Sequence, residues 1–296
     1  MPIQPLPLAL HLFNVPLALS TRHAEILATQ AANQLALARH MDVGDYGLAV
    51  PETPPERTGR PYPLVQGIAV IAVQGLLVPK LGTLEPWEGM TGYDGLRMNL
   101  LLALADPAVQ AIVFDIDSPG GAVAGCLDLA DTIYHARGAK PMRAILSESA
   151  LAAAYVIASA CDRVFVPRSG STGGIGVLWA HVDYSQALSA AGIAVTLIMS
   201  GKRKADGNEY EPLSKKARER IQNDVDDIGH LMVATVARNR GLPRAVVNDM
   251  EGLTYLGQNG VRQGLADACL PPDQAMARLL DAIGQERPGR PQRLTV

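Results

Sequence analysis

Several things are missing from this sequence, and each absence narrows what it can be. No stretch reaches the roughly 18 uninterrupted apolar residues that a bilayer-spanning helix needs, so no membrane partner is expected. The apolar run from Pro5 to Leu19 contains His11, Asn14 and three prolines with no Lys or Arg before it, unlike a secretory leader. Basic residues are scattered apart from Lys202, Arg203 and Lys204, and the net charge is -3. A groove for nucleic acid needs a positive stripe, so no nucleic-acid partner is expected either.

Cysteine is equally scarce. Cys126, Cys161 and Cys269 are odd in number, far apart and set among small apolar residues, which fits buried thiols in a reducing compartment rather than a disulfide framework. No two His or Cys residues stand at a ligand spacing such as C-x-x-C or H-x-x-x-H, so neither a metal nor another cofactor is expected. No His/Asp pair offers triad spacing, and His181 in AHVDYS reads as structural. There is no internal repeat.

What remains is an ordinary globular composition, 48% hydrophobic and 19% charged over 296 residues. Residues 23–40 recur apolar at helical spacing, and the stretch Pro51 to Pro63 holds five prolines, so an N-terminal arm and linker (1–65) are expected to precede the main domain (66–284). Within that domain GIAVIAVQG from Gly67, AIVFDID (111–117), RAILSES (143–149) and RVFVP (163–167) read as strands. Helical segments near 91–105 and 123–137 separate the first three. This alternation predicts βαβ units and a mostly parallel sheet flanked by helices, an α/β fold. A helix near 183–191, a further strand at AVTLIMS (194–200), and a long helix from the cap Ser214 to Asn239 are also expected, the last stopped by Gly241-Leu242-Pro243. Short helices near 243–250 and 272–284 follow, and the tail 285–296 reads as disordered.

Three constellations carry chemistry. In DIDSPGG (115–121) the glycines bend a strand-to-helix turn and can leave N–H groups free to bind an oxyanion, though a lone Gly-Gly is more often a plain tight turn with no ligand. SESALAAAYVIASACD (147–162) reads as a small-residue helix, and SGKRKADGN (200–208) as a Gly-flanked basic loop. Together, in this order, they resemble the signal peptide peptidase A family of serine proteases within the wider ClpP/crotonase fold, and in particular its bacteriophage head-maturation branch. DIDSPGG resembles that family's oxyanion motif, GCLDLADTI the helix after it, TGGIGVLWAHVDYSQALSAAGI (172–193) its strand, turn and helix, and SGKRKADGNEYEPLS the segment with its catalytic lysine. The resemblance runs from about Gly67 to Asp267.

The resemblance implies a Ser/Lys dyad with Lys204 as general base and an oxyanion hole from the N–H groups of Gly120 or Gly121 and of Ala153. It implies homo-oligomeric rings, and scaffold and capsid proteins as substrates, inside a procapsid in the bacterial cytoplasm. The nucleophilic serine, however, falls on Ala152. Ser147, Ser149 and Ser159 are each too far along the chain to replace it. The chain as given is therefore expected to be inactive, through a serine-to-alanine change or as a naturally inactive homologue. Where many relatives carry a lysine-orienting serine this chain has Gly174, with Ser171 or Thr172 as substitutes. The competing readings are a non-catalytic peptide-binding assembly protein and a crotonase-like acyl-thioester enzyme.

Overall fold

The computed structural model describes residues 15–20, 59–87 and 89–285. The expected helix over 23–40, most of the linker and the tail beyond 285 lie outside these. The described residues form one ten-stranded sheet with helices on both faces. Its centre is parallel: β3 (Ile68–Val78), β5 (Ala111–Ala122), β6 (Met142–Leu151) and β7 (Arg163–Val166) lie side by side in chain order. They are joined by α1 (Tyr93–Ala105), α2 (Cys126–His135) and α3 (Ala153–Ser159). β2 (Leu64–Val65) runs antiparallel at one edge, and β10 (Ala268–Cys269) parallel at the other.

Strands of a sheet covered on both faces are apolar on both, and alternate residues should serve different cores. Ile112, Phe114 and Ile116 of β5 enter the larger core with Leu96 and Leu100 of α1, Leu129 and Ile133 of α2, and all of α3 except its last residue. Val236 of the long helix α5 (Lys215–Arg240) closes that side. Ala111 and Val113 point to the opposite face, onto Ala275, Leu279 and Ile283 of α8 (Pro272–Gln285). α5 begins and ends where its caps dictate: the Ser214 hydroxyl accepts the Ala217 N–H at 3.2 Å, and Gly241 turns out at φ 66°.

Three expectations need correction. Ser147 to Leu151 finish β6 rather than start a helix, and only Ala153 to Ser159 are helical. DIDSPGG does not end its strand, because β5 runs through it to Ala122 and α2 starts only at Cys126. AVTLIMS is not a strand: residues 193–199 are irregular and largely exposed, with Ile198 at 96% exposure, and among the described residues no strand pairs with them to take up their backbone groups. α4 (Ser185–Ala190) is shorter than expected, and α6 (Arg244–Asn248) fits its expected place. The short pieces β1 (Leu17–Leu19), β4 (Met90–Gly92), β8 (Ser171–Gly173), β9 (Thr254–Leu256) and α7 (Gln258–Arg262) were too brief to leave a periodic signal.

The end of α3 is tied down by one cation. The Arg137 guanidinium donates to the carbonyls of Ser159 (2.9 Å), Ala160 (2.8 Å), Cys161 (2.7 Å) and Asn239 (3.1 Å), satisfying the last turns of two helices together. Replacing Arg137 with Met should cost about 2–4 kcal/mol, read as a lower midpoint in urea unfolding with an unchanged slope. A second outcome concerns pH. Burial raises the Cys126 thiol from its ordinary value of 9.0 to about 12, against a smaller lowering by Tyr93. The folded chain therefore keeps a proton that the unfolded chain releases above pH 9, so this contribution is intact below pH 9 and is lost as pH rises towards 12. Native alkylation at pH 8 should leave Cys126 unmodified, and unfolding should expose it.

Candidate active site

The C-terminal ends of the parallel strands converge on Ala152. Ser118 of β5 stands opposite Ala150 of β6, and Ala150 opposite Thr172 of β8. β6 then stops: the Ala152 N–H donates to Gly173 O at 2.8 Å, and the chain turns into α3. The turn puts Ala152 at φ 50°, ψ -116°, a region that L-residues avoid, at a cost on the order of 1–3 kcal/mol. A strained strand-to-helix turn that presents one side chain at the end of a sheet is the geometry of a nucleophile elbow. Here the side chain is a fully buried methyl group.

Gly120 faces it. At φ 106° this residue has no room for a side chain: a Cβ would lie 2.2 Å from Ala18 O, 3.0 Å from Leu151 O and 3.1 Å from the Ala152 methyl. Gly121 is pressed as tightly against β3, where a Cβ would meet Leu77 O at 2.0 Å. The bend is held by Ser118, whose buried hydroxyl donates to Gly75 O at 2.7 Å and accepts the Gly120 N–H at 3.2 Å. The Gly120 N–H is therefore engaged, whereas Ala153 lies in the first turn of α3, whose N–H groups have no acceptor within the helix. Ser118 was missed in the sequence because a serine before Pro-Gly-Gly looks like an ordinary turn residue. β1 was missed because three residues carry no pattern.

The other expected site residues divide into two groups. Gly174 belongs to the cluster, since a Cβ there would lie 3.3 Å from Ala152 N, and its φ of 67° would strain a serine. Thr172 is buried in the adjoining strand with its hydroxyl on Tyr255 O at 3.3 Å, and the Ser171 N–H donates to Ser149 Oγ at 3.0 Å. Lys204 lies in an exposed turn. That turn is nonetheless anchored beside the site: a Cβ on Gly207 would meet Trp179 at 2.9 Å, and His181 Nε2 lies 2.8 Å from Asn208 O. The residue before Trp179, Leu178, pairs with Leu17 of β1.

Residues 135–285, half of the chain, match Peptidase family S49, and the chain belongs to that family. Among named relatives, it is 41% identical over 228 residues to the head-tail preconnector protein GP5 of Enterobacteria phage P21, covering 77% of this chain and 46% of that protein. It is 37% identical over 283 residues to the capsid assembly protease C of Escherichia phage lambda, covering 92% of this chain and 64% of that protein. The chain thus spans between about half and two thirds of the length of these relatives. Among solved structures, enoyl-CoA hydratases from Shewanella pealeana ATCC 700345 and Polaromonas sp. JS666 align at TM-scores of 0.47 and 0.43 with 9% and 15% identity. They cover 75% of this chain in each case, and 72% and 74% of their own. The family assignment does not rest on them.

The strain at position 152 has a direct test. Ala152→Gly should stabilise the chain by about 1 kcal/mol, since relief of the positive φ outweighs the added freedom of the unfolded chain. Ala152→Val should destabilise it by more than that. Thermal unfolding of the two variants beside the parent would give this order, and the reverse order would mean that the turn is unstrained.

Proposed function

We propose that this chain is the protease-fold portion of a phage head-maturation protein. In its active form it is a Ser/Lys endopeptidase that cleaves scaffold and capsid proteins within an assembling procapsid in the bacterial cytoplasm. The observation that carries the reading is the strained turn at residue 152, which sets one side chain against Gly120. The names of the phage relatives support the choice of substrate.

With serine at 152, the neutral Lys204 amine takes the hydroxyl proton as the oxygen attacks a peptide carbonyl. The N–H groups of Gly120 or Gly121 and of Ala153 receive the developing oxyanion, while Ser118 holds Gly120 in its bend. The leaving amine takes the proton back, and a water activated by Lys204 releases the acyl group. A lysine can act as a base near neutrality only if desolvation lowers its affinity for the proton from the reference of about 10.4. Lys204 is exposed in a single copy, and the residues leading to it, Ile193, Val195, Ile198 and Met199, are exposed and apolar. A homo-oligomer in which a second copy covers this segment would supply the desolvation.

Alanine at position 152 removes the nucleophile, so the chain as given binds peptide without cleaving it. The same residue favours a second reading, a peptide-binding assembly protein on the same fold in which alanine at 152 is the natural residue. Ala152→Ser, coexpressed with candidate capsid and scaffold proteins and followed by intact mass, should generate new fragments. Adding Lys204→Ala should reduce their formation by about 100-fold or more. A folded Ala152→Ser protein that produces no fragments would establish the second reading.

A further inference from the structure

The edge of β5 changes hands next to Ala152. β6 pairs with that edge as far as Ser118 and Ala150, then turns away into α3. β1 takes up the same edge immediately beyond, antiparallel, with Leu19 opposite Gly120, Ala18 opposite Gly121 and Leu17 opposite Ala122. The Ser20 N–H donates to Pro119 O at 3.0 Å. The other side of β1 is held as well, since Leu17 and Leu178 exchange both backbone hydrogen bonds, at 2.9 and 2.8 Å. A three-residue strand is thus clamped between the two segments that border the site.

Its side chains fit as those of a bound peptide would. Leu17 and Leu19 are buried among Leu76, Val78 and Met90, and Ala18 between them is fully buried against the main core. The Ala18 carbonyl oxygen and the Ala152 methyl lie 2.2 and 3.1 Å from one point, the absent Cβ of Gly120, so their separation cannot exceed these two lengths laid end to end. A backbone carbonyl therefore stands within a few ångströms of the nucleophile position. An apolar cavity of about 280 Å³, lined by Val15, Pro16, Ala122, Val123 and Ile228 among others, prolongs the groove past the start of β1.

We propose that residues 15–20 are an intramolecular occupant of the peptide groove, a strand of this chain standing where an extended substrate would add its own. This rests on reading the cleft at Ala152 as the substrate site. The partner that displaces it is an extended peptide with large apolar residues at alternate positions and a small residue between them. Binding such a peptide is weakened by the fraction of molecules in which the groove is already filled.

The test uses the full chain with Ala152 retained, so that binding is read without turnover. The probe is a fluorescein-labelled peptide of residues 13–22, followed by anisotropy against the unsubstituted chain, a Leu17→Asp/Leu19→Asp variant and a milder Leu17→Ala/Leu19→Ala variant. Weakening β1 should tighten peptide binding at least tenfold in the aspartate variant and by a smaller factor in the alanine variant. An unlabelled peptide with aspartate at both leucine positions should fail to compete. Folded variants that bind the probe no tighter than the unsubstituted chain, or not at all, would overturn the proposal, as would unfolding of both variants, which would make β1 an integral strand. Neither the hydroxyl at 152 nor Lys204 enters this measurement, so a failed cleavage assay and a failed binding assay remain distinguishable.

Discussion

At Gly120 three backbones approach more closely than any side chain permits. Ala18 O, Leu151 O and the Ala152 methyl all lie within 3.1 Å of the point where a Cβ would stand. Everything at this end of the sheet follows from that contact. β5 can run on past its neighbour only because Gly120 takes a positive φ, and the Ser118 hydroxyl holds that bend from inside the sheet. β6 must leave at Leu151, and the N–H of Ala152 finds its acceptor on β8 rather than on β5. The result is a corner lined by backbone, in which the Ala152 methyl faces Gly120.

The small residues of α3 belong to the same constraint. A seven-residue helix buried on all sides has to sit close to β5, α2 and α5 at once, and Ala153, Ala154 and Ala158 allow this while Tyr155 reaches through to Leu265 O at 2.8 Å. Arg137 satisfies the carbonyls at the far end. Position 152 is thus held at one end by a β8 carbonyl and at the other, through α3, by a guanidinium.

The sequence disclosed this corner unevenly. The parallel strands could be read because they are long and apolar on both faces, and α5 because Ser214 and Gly241 cap it in the ordinary way. The Ala-rich stretch after Ser147 reads as helix throughout, since alanine favours helix wherever packing is silent. Here Asp115 accepts from the Ser147 hydroxyl and β5 extends its ladder, so tertiary pairing overrode propensity as far as Leu151. AVTLIMS has the composition of a strand and lacks one here because a strand is defined by its partner. The groups brought together at 152 were legible only as a resemblance of motifs, since the positive φ that unites them leaves no trace in residue identity when an alanine adopts it.

That last point has an evolutionary side. The unfavourable conformation at 152 belongs to the backbone, imposed by β6, β8 and Gly120, and the methyl group neither creates it nor benefits from it. Codons for alanine and serine differ by a single base at the first position. A lineage carrying this chain would therefore remain one point mutation away from a hydroxyl in the same place, and gaining it would require no change elsewhere in the sheet.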